Sequence, residues 1–495
     1  MKKQIVSTLL ALCMLLCLMP TAAFAEESTE TPPVCSCETA CTAESMNTDC
    51  PVCGAEGADP KKCKCAQPAD DAAAQPKGKV STPQPEEEAS DPQPEGKVST
   101  PQPETALTAL SGEGETPAAS GAVKDVSTAD ELTKAMDDSK VNTVKLAGDI
   151  IISSSLTVKR AVTLDLNGHV LKYESANNGS VIVVENGGQL TIEDSNTSKL
   201  SHRFKLDGNL WVLDETSGTE TVLGGVITGG TGTDLSTYGG TTWYCGGGAL
   251  IKIGGSLTMR GGNIIGCSAE CGGGVCVDSG RNGESGQFSM FGGSIAGCVA
   301  SNIGGGVRAS GKFQMSGPAV IRNCTVESTD QFIGGGGVYV NNSSEFVMSG
   351  EAKIEGCQAI AKSSNSSNGG GVFVNSSSSF VMTDKAKIEG CQAIAKSSNS
   401  SNGGGVHLSN NTEFTLSGSA VIQNCTATNS VNSGEAYGGG VSADCMRQIT
   451  LEGNAQISQC NAANGSGLYI TGSQVAGYGQ LFANGGSVDG DVVLG

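Results

Sequence analysis

A verbatim duplication constrains the fold of this chain more than any other feature. Twenty residues, KIEGCQAIAKSSNSSNGGGV, occur at 353–372 and again, unchanged, at 387–406. In a compact globular core each position meets different neighbours, so an identical surface has no second place to pack. In a stack of like layers, each layer meets a copy of itself above and below. The duplication therefore predicts a solenoid of repeated coils.

The duplicated segment belongs to a series of units that each begin with three glycines. A Val-x-Val type segment follows each triplet, then Phe-x-Met, then Ala-x-Ile-x-x-Cys-x-Ala. The triplets begin at residues 246, 272, 304, 335, 369, 403 and 438. Alternation with period two puts the apolar side chains of a strand on one face. Their match between units predicts that like residues stack, Phe346 on Phe380 and Ile354 on Ile388.

The composition favours the same all-β architecture. Glycine supplies 71 of 495 residues, aromatic residues 4% and charged residues 16%, which suits many tight turns and small side chains. Burying about eight apolar side chains at about 1.5–3 kcal/mol each cannot offset backbone ordering of about 1–2 kcal/mol per residue across a whole unit. A lone coil is therefore unstable, and we predict parallel coils of three short strands that stabilise one another by stacking.

The N-terminus has the pattern of a secretory signal peptide at residues 1–25. Lys2 and Lys3 precede the apolar run IVSTLLALCMLLCLM, and the small-residue site Ala23-Phe24-Ala25 follows it. The run is too short for a membrane anchor, and no second apolar segment of about 20 residues follows. We therefore expect an extracellular protein, secreted or associated with the cell surface, without a transmembrane segment in the mature chain.

A cysteine-rich segment follows at residues 26–66. It contains Cys35, Cys37, Cys41, Cys50, Cys53, Cys63 and Cys65. So many cysteines with almost no large apolar residues cannot form a hydrophobic core, so disulfides, a bound metal and free thiols are the alternatives. Export favours disulfides. The CPVCG spacing of Cys50 and Cys53 is that of a zinc half-site, so metal binding remains an alternative.

Three further segments complete the chain. Residues 67–123 are rich in Pro and Glu and repeat the motif GKVSTPQPE, which predicts a disordered linker. Residues 124–233 carry a helix signal, STADELTKAMDDS, followed by short alternating strands; we expect a helix that caps the first coils. Residues 234–495 hold the repeat coils.

The run from TLDLNGHVL through VENGGQLTIEDS to GGGVYV, FVMSG and AKIEGCQA resembles right-handed parallel β-helix proteins of the Gram-positive secreted and surface type, which share the pectate-lyase-like fold. The repeats are similar to those of the polymorphic outer-membrane protein adhesins, with Cys in a column that those repeats often fill with Asn. The resemblance covers roughly residues 124–495. It implies a right-handed β-helix and roles in attachment to a host or matrix.

Cysteines of the repeats form one predicted column. Its members are Cys267, Cys298, Cys324, Cys357, Cys391, Cys425 and Cys460. Neighbouring parallel strands lie about 4.8 Å apart, which is long for the Cβ separation of a disulfide. We expect a reduced internal ladder, with stacked disulfides and a metal as alternatives. Cys245 and Cys271 precede consecutive triplets and are the better disulfide pair, whereas Cys276 and Cys445 are unassigned.

A second column is the candidate ligand-binding site. The middle position of the first strand reads Arg308, Tyr339, Phe373 and His407 in successive units. We expect this column to be exposed, so that its rings stack on sugar rings or on side chains of a partner. Ordinary stacking of neighbouring side chains is the alternative.

No catalytic residue and no cofactor is predicted. Glu355 and Glu389 stand one unit apart, near the spacing that a retaining glycosidase needs. Each has an identical Lys neighbour, so a solvated column of charge is the simpler interpretation. His169, His202 and His407 show no metal-ligand spacing.

Two functions remain open at this stage. The first is a non-enzymatic adhesin or scaffold that presents loops to glycans or to host and matrix proteins. The second is a carbohydrate-active enzyme, a polysaccharide lyase or a glycosidase. The net charge of −20 argues against nucleic acid as a partner. The ending GGSVDGDVVLG has neither a sorting motif nor an obvious cap. A third alternative is therefore that the chain is a fragment of a longer surface protein.

Overall fold

The computed structural model describes residues 122–494, with gaps at 197–199, 236–241, 281–282, 329–332, 364–365, 397–398 and 472–478. The predicted signal peptide, the cysteine-rich segment with Cys50 and Cys53, and the linker up to residue 121 lie outside the described residues. In the part that is described, nearly all regular structure is strand, and long parallel sheets dominate. This confirms the all-β parallel β-helix.

The largest sheet has 21 strands in two ladders that run side by side. The ladder of Phe-x-Met type comprises Ala122–Val126, Val141–Leu146, Ala161–Asp165, Gln189–Glu193, Ser256–Met259, Gln287–Met290, Lys312–Met315, Glu345–Met348, Ser379–Met382, Glu413–Leu416, Gln448–Ser458 and Gln480–Val488. The ladder of Ala-x-Ile type comprises Ile150–Ile152, Val170–Tyr173, Val226–Thr228, Asn263–Ile265, Ser294–Ala296, Val320–Arg322, Lys353–Glu355, Lys387–Glu389 and Val421–Gln423. The long strand Gln448–Ser458 pairs with both ladders and joins them.

The Val-x-Val type segments form a second sheet of 11 strands. They are Leu156–Val158, Ile182–Val184, Ala249–Ile251, Val275–Val277, Val307–Ala309, Val338–Val340, Val372–Val374, Val406–Ser409, Val441–Asp444, Leu468–Ile470 and Val492–Leu494. Every pairing in this sheet is parallel. Successive coils therefore lie directly over one another.

A third sheet has 12 short strands on either side of the polar loops. After the cysteine column come Ser268–Cys271, Val299–Ile303, Thr325–Ser328, Gln358–Ala361, Gln392–Ala395 and Thr426–Asn429. Before the glycine triplets come Thr233–Asp234, Tyr244–Cys245, Ile333–Gly334, Ser367–Asn368, Ser401–Asn402 and Ala436–Tyr437. The three predicted strands of a repeat coil are thus joined by two short ones that the sequence did not indicate.

Columns of like residues fill the interior. Phe346 and Phe380 are paired in register and fully buried, with ring centroids 4.7 Å apart and planes 4° from parallel. Ile354 and Ile388 are paired in the same way. The column of rings extends to Phe288, Phe313 and Phe414, with neighbouring centroids 4.6 to 5.1 Å apart. The predicted stacking of identical residues is confirmed.

A helix closes the start of the β-helix, as predicted. It spans Ala129–Asp137, and the Thr128 side chain accepts a hydrogen bond from the backbone N–H of Glu131. Its buried face, Leu132, Ala135 and Met136, packs into the interior of the first coils. In the described residues no helix is long and apolar enough to cross a bilayer.

An antiparallel sheet interrupts the coils between residues 201 and 223. We call it the flap; its strands are Ser201–Asp207, Leu210–Leu213 and Glu220–Leu223. The Trp211 side chain packs on the outer face of the Ala-x-Ile ladder. The backbone N–H of Trp211 donates to the carbonyl of Gly297 at 3.0 Å. Gly297 has a φ of 56°, and a Cβ there would collide with the indole ring. The flap therefore needs glycine at this position.

Candidate functional site

The predicted ligand-binding column is present: its side chains lie one above another on successive strands. Its members are Arg308, Tyr339, Phe373 and His407. Neighbouring members are paired in parallel register. Ring centroids lie 5.3 Å apart for Tyr339 and Phe373, and 5.0 Å apart for Phe373 and His407. The spacing inferred from the repeats is therefore correct.

The predicted exposure of this column is wrong. Tyr339, Phe373 and His407 are 4%, 1% and 4% exposed, and Arg308 is half-buried. The first glycine of a triplet, for example Gly335 with a φ of 69°, turns the chain sharply, and the residue before the triplet then lies over this column. A Cβ on Gly334, which precedes that triplet, would collide with the ring of Phe373. No sugar ring can stack on these buried faces from solvent.

We call the residues that cover the column the pre-glycine column. They are Cys245, Cys271, Ile303, Gly334, Asn368, Asn402 and Tyr437. Its two asparagines are hydrogen-bonded: the Asn368 amide donates to the carbonyl of Ile333, and the Asn402 amide donates to the side-chain oxygen of Asn368 at 3.0 Å. The layer is thus hydrogen-bonded within itself.

The two ring nitrogens of His407 contact groups of the protein itself. Its Nε2 lies 3.2 Å from the Asp444 carboxylate, and its Nδ1 lies 3.3 Å from the carbonyl of Ser442. Burial raises the pKa of Asp444, but hydrogen bonds from His407 and Ser409 outweigh that effect and lower it. The arrangement stabilises the corner between strands.

Beyond His407 the middle position of this column becomes partly exposed again. After His407 it continues through Ser442 to Tyr469, which is half-buried. Tyr437, from the pre-glycine column, packs against Tyr469 with ring centroids 4.7 Å apart. The Tyr437 hydroxyl donates to Glu435 at 2.8 Å, which raises the pKa of Tyr437 to about 12. We call Tyr437 and Tyr469 the tyrosine pair; the sequence analysis missed it, although extending the column by two units would have reached Tyr469.

The seven-cysteine column lies inside the coils. Six of its thiols are fully buried and Cys460 is half-buried. Each thiol donates to carbonyls; that of Cys357, for example, bonds the carbonyl of Glu355 at 3.5 Å and that of Ile321 at 3.9 Å. Burial raises the pKa of Cys357 and Cys425 well above the usual value. Each thiol fills space beside the third glycine of a triplet, and its redox state stays a prediction.

Cys245 and Cys271 meet a third thiol and a cation. They are in-register partners on neighbouring parallel strands, and both are buried. Cys276 packs in the same apolar cluster, together with Trp243 and Leu235. Arg308 Nη1 donates to the Cys276 sulfur at 3.5 Å. Contact with the Cys271 thiol is the main cause that raises the pKa of Cys245 to about 12.

Glu355 and Glu389 are neutralised by their own neighbours. Their backbones are in register on adjacent strands. Lys353 lies 3.1 Å from Glu355, and Lys387 lies 2.8 Å from Glu389. The Lys387 hydrogen bond lowers the pKa of Glu389, and the Gln423 amide also donates to it at 2.6 Å. The pair is a column of solvated ion pairs rather than an acid and a base poised for a substrate.

The three histidines have separate partners. His169 lies 3.4 Å from Asp149, and His202 lies 2.9 Å from Glu215. Within the described ranges, no group of three or more His, Cys, Asp or Glu side chains is placed to hold a metal ion.

Comparison with known proteins gives one match. A family model described as a putative pectate lyase-like adhesive domain matches residues 123–231. Over that segment the chain resembles this family. Together with the parallel sheets, the match fits a pectate-lyase-like β-helix, and it covers the helix, the first coils and the flap. No curated protein and no solved structure matches the chain. The likeness of the repeats to polymorphic outer-membrane protein adhesins stays a prediction, because the match ends before the first triplet.

Proposed function

We propose that this chain is a secreted or surface-attached bacterial adhesin, a non-enzymatic β-helix that binds glycans of a host or matrix. The observation that carries the proposal is the match of residues 123–231 to a pectate lyase-like adhesive domain. The fold alone hosts enzymes as well as binding proteins, so the choice depends on the side chains on its surface.

The ion pairs on the Ala-x-Ile ladder support binding over catalysis. Glu355 and Glu389 are each paired with lysine at 3.1 Å or less. A general acid needs a raised pKa, whereas the pKa of Glu389 is lowered by Lys387. These carboxylates are therefore suited to a solvated surface rather than to cleavage of a glycosidic bond.

The tyrosine pair is the face of the adhesin that we assign to the glycan. Tyr437 and Tyr469 are half-exposed rings side by side, and Glu435 lies against the Tyr437 hydroxyl. Aromatic faces stack on the C–H faces of sugars, and a carboxylate beside them accepts hydrogen bonds from sugar hydroxyls. Rings deeper in the same column are covered and contribute packing only.

Binding of the full chain to a glycan array, and to immobilised matrix proteins, tests the adhesin function. We expect saturable binding to a glycan class, and the Tyr469→Ala variant should weaken it about tenfold, equivalent to the loss of one aromatic stacking contact. The matched control is Tyr339→Phe, a change in the buried part of the same column, which should leave the affinity unchanged.

One result would contradict the adhesin function, and another would contradict the assignment of the tyrosine pair as its binding site. Release of unsaturated sugar from a polysaccharide would identify a lyase. Equal affinity of the wild-type chain and Tyr469→Ala for a bound glycan would move the binding site away from the tyrosine pair while leaving the adhesin function in place.

A further inference from the structure

Three buried thiols and one guanidinium converge at the start of the repeat coils. We call Cys245, Cys271, Cys276 and Arg308 the thiol cluster. Cys245, Cys271 and Cys276 are 0%, 3% and 0% exposed. The cluster is outside the β-helix interior, beneath Leu235 and Trp243, and is separate from the seven-cysteine column. It plays no part in the proposed adhesin function.

The backbone geometry singles out Cys245 and Cys271. Both immediately precede a glycine triplet, and they face each other in register on parallel strands. The Gly246 N–H donates to the carbonyl of Cys271 at 3.0 Å, which fixes this register. Parallel strands lie about 4.8 Å apart, within the range of about 4.4–6.8 Å that Cα atoms joined by a disulfide span; the Cβ atoms must approach to about 3.8 Å, so the bond requires a local shift of about 1 Å.

The thiol environment separates these two cysteines from those of the internal column. The column thiols donate to backbone carbonyls, as Cys391 does to the carbonyls of Glu389 and Ile354. The column thiols also contact the thiols of adjoining coils, so the difference lies in the carbonyls: among the described residues the Cys245 thiol donates to no carbonyl, and the thiols of Cys271 and Cys276 lie beside it. Sulfur contacts between facing side chains are the arrangement from which a disulfide forms with little backbone movement.

Arg308 distinguishes the third thiol. Its Nη1 donates to the Cys276 sulfur at 3.5 Å, and the two residues are in register on neighbouring strands. Among the described residues Arg308 forms no ion pair within 4.0 Å, and its buried Nε has no hydrogen-bond partner. Arg308 also interacts with the nearby Asp278 carboxylate. Contact with the Cys245 thiol and burial raise the pKa of Cys276, so Cys276 is held against Arg308 as a neutral thiol whose sulfur accepts the hydrogen bond.

We propose that Cys245 and Cys271 form a disulfide that joins two neighbouring coils, while Cys276 stays reduced against Arg308. The oxidant is a disulfide compound, an oxidoreductase in its disulfide form or a small-molecule disulfide. One cysteine thiolate attacks its S–S bond and releases one thiol; the second thiolate then displaces the other half as a second thiol. Two protein thiols lose two electrons and two protons, and the oxidant gains both.

The burial of the pair sets when this exchange occurs. A thiolate must reach the oxidant, and both sulfurs are inaccessible once the coils have closed. The disulfide therefore forms before the coils stack, and it is shielded from reductants in the folded protein. Its position, after the segment that matches the adhesive domain and before the repeats, joins the first two coils that begin with a glycine triplet.

Mass spectrometry of the full chain tests this pairing. The chain is refolded in a buffer of glutathione and glutathione disulfide, unfolded without reductant, alkylated and digested with trypsin and an endoproteinase that cuts after Glu. Trypsin places Cys245 on a peptide that ends at Lys252, and cleavage after Glu270 separates Cys267 from Cys271. Cys271 and Cys276 lie on one peptide, residues 271–281. We expect the Cys245 peptide linked to this peptide, and fragmentation between the two cysteines should place the link on Cys271 and the alkyl group on Cys276.

Three variants sharpen the test. Cys276→Ser should keep the link, and Cys271→Ser should lose it. In the wild-type chain the denaturation midpoint should fall when reductant is present during unfolding, and in Cys245→Ser it should not respond to reductant. Alkylation of both Cys245 and Cys271 in the refolded wild-type chain overturns the proposal, and so does a link from Cys245 to Cys276. The wild-type measurement decides even if a variant fails to fold, and it is independent of glycan binding.

Discussion

The first coils and the repeat coils reach the same fold through different contacts. In residues 122–228 the interior is aliphatic, with Leu164, Leu190 and Ile192, and single carboxylates hold the backbone turns. Asp165 accepts hydrogen bonds from the N–H groups of Asn167 and Ser195, both at 2.9 Å. Each of these contacts occurs once.

In the repeat coils the same contact recurs from one coil to the next. The Ser367 hydroxyl donates to the carbonyl of Ala359 at 2.7 Å, and one coil later the Ser401 hydroxyl donates to the carbonyl of Ala393 at the same distance. Amides and hydroxyls take the place of carboxylates, and stacked rings are added to the aliphatic side chains of the interior. A layer stabilised by unique contacts fits one place in the stack, whereas a layer stabilised by self-matching contacts fits wherever its copy lies.

The largest difference in stability between the two regions should appear when a glycine is replaced by alanine. A Cβ at Gly370, in a repeat coil, would lie 2.3 to 2.4 Å from backbone atoms of Gln392, further along the same coil. Backbone cannot move aside as a side chain can, so we expect Gly370→Ala to lower the free energy of unfolding by more than about 4 kcal/mol or to prevent folding. Chemical denaturation followed by circular dichroism measures this.

Gly148→Ala is the matched control in the first coils. No atom lies within 4 Å of a Cβ at Gly148. This variant should fall within about 0.5 kcal/mol of the wild type. Equal stability of the two variants would show that close packing within the coil is not what the triplets provide.

The stacked rings should show coupling that the aliphatic region lacks. Phe346→Ala should cost about 3–5 kcal/mol, because a large buried ring is removed. Combined with Phe380→Ala, its stacked neighbour, the loss should differ from the sum of the single losses by about 0.5–3 kcal/mol. Combined with Leu190→Ala in the first coils, the losses should add, since the two sites share no contact. Additivity in both pairs would argue against columns as units of stability.

Acid should affect the first coils before the repeats. Burial raises the pKa of Asp165, but hydrogen bonds from Ser195 and Asn167 outweigh it, so the pKa is lowered. A lowered pKa gives stability that is present above the unfolded value of about 3.9 and is lost as the pH falls through the folded value. We expect Asp165→Asn to cost about 1–3 kcal/mol at pH 7, and the loss should shrink below about pH 3.

Amide exchange resolved by region checks this pH dependence. Protection in residues 161–195 should fall in acid before protection in residues 338–409, where neutral amides and hydroxyls make the polar ladders. Simultaneous loss in both regions would contradict the difference in their contacts.

The smallest effect should come from the ion pairs on the outer face. Lys387 and Glu389 lie 2.8 Å apart but are partly exposed. Exposed pairs contribute about 0–1 kcal/mol, so Lys387→Gln should change the denaturation midpoint little. The same change at Lys353, in the coil before, is the internal repeat of this measurement and should agree with it. A loss above about 2 kcal/mol at either position would mean that the charges are structural.

The sequence predicted the column stacking because identity between units specifies register. Phe346 over Phe380 follows from period-two strands and from the fixed 34-residue offset, whatever the loops do. The helix at Ala129–Asp137 was equally readable, since its cap and apolar face are local signals.

The burial of Tyr339 and Phe373 could not be predicted in the same way. Alternation says which side chains point outward, but it does not say what covers them. The cover comes from Gly334, Asn368 and Asn402, small or polar residues that are typical of loops. The flap was missed for a related reason: Trp211 packs on Ala296 and Ile265, distant in sequence, and no repeat marks that contact.

The direction of the backbone hydrogen bonds has a mechanical consequence. In every sheet of the β-helix these bonds join one coil to the next, so a pull along the stack loads the layers in series rather than together. The weakest layer yields first, and each neighbouring layer, having lost the stacking on one face, is the next to yield. One coil of about 34 residues would then release roughly 110–120 Å of slack, so a tether of this kind lengthens in steps under tension instead of letting go at once.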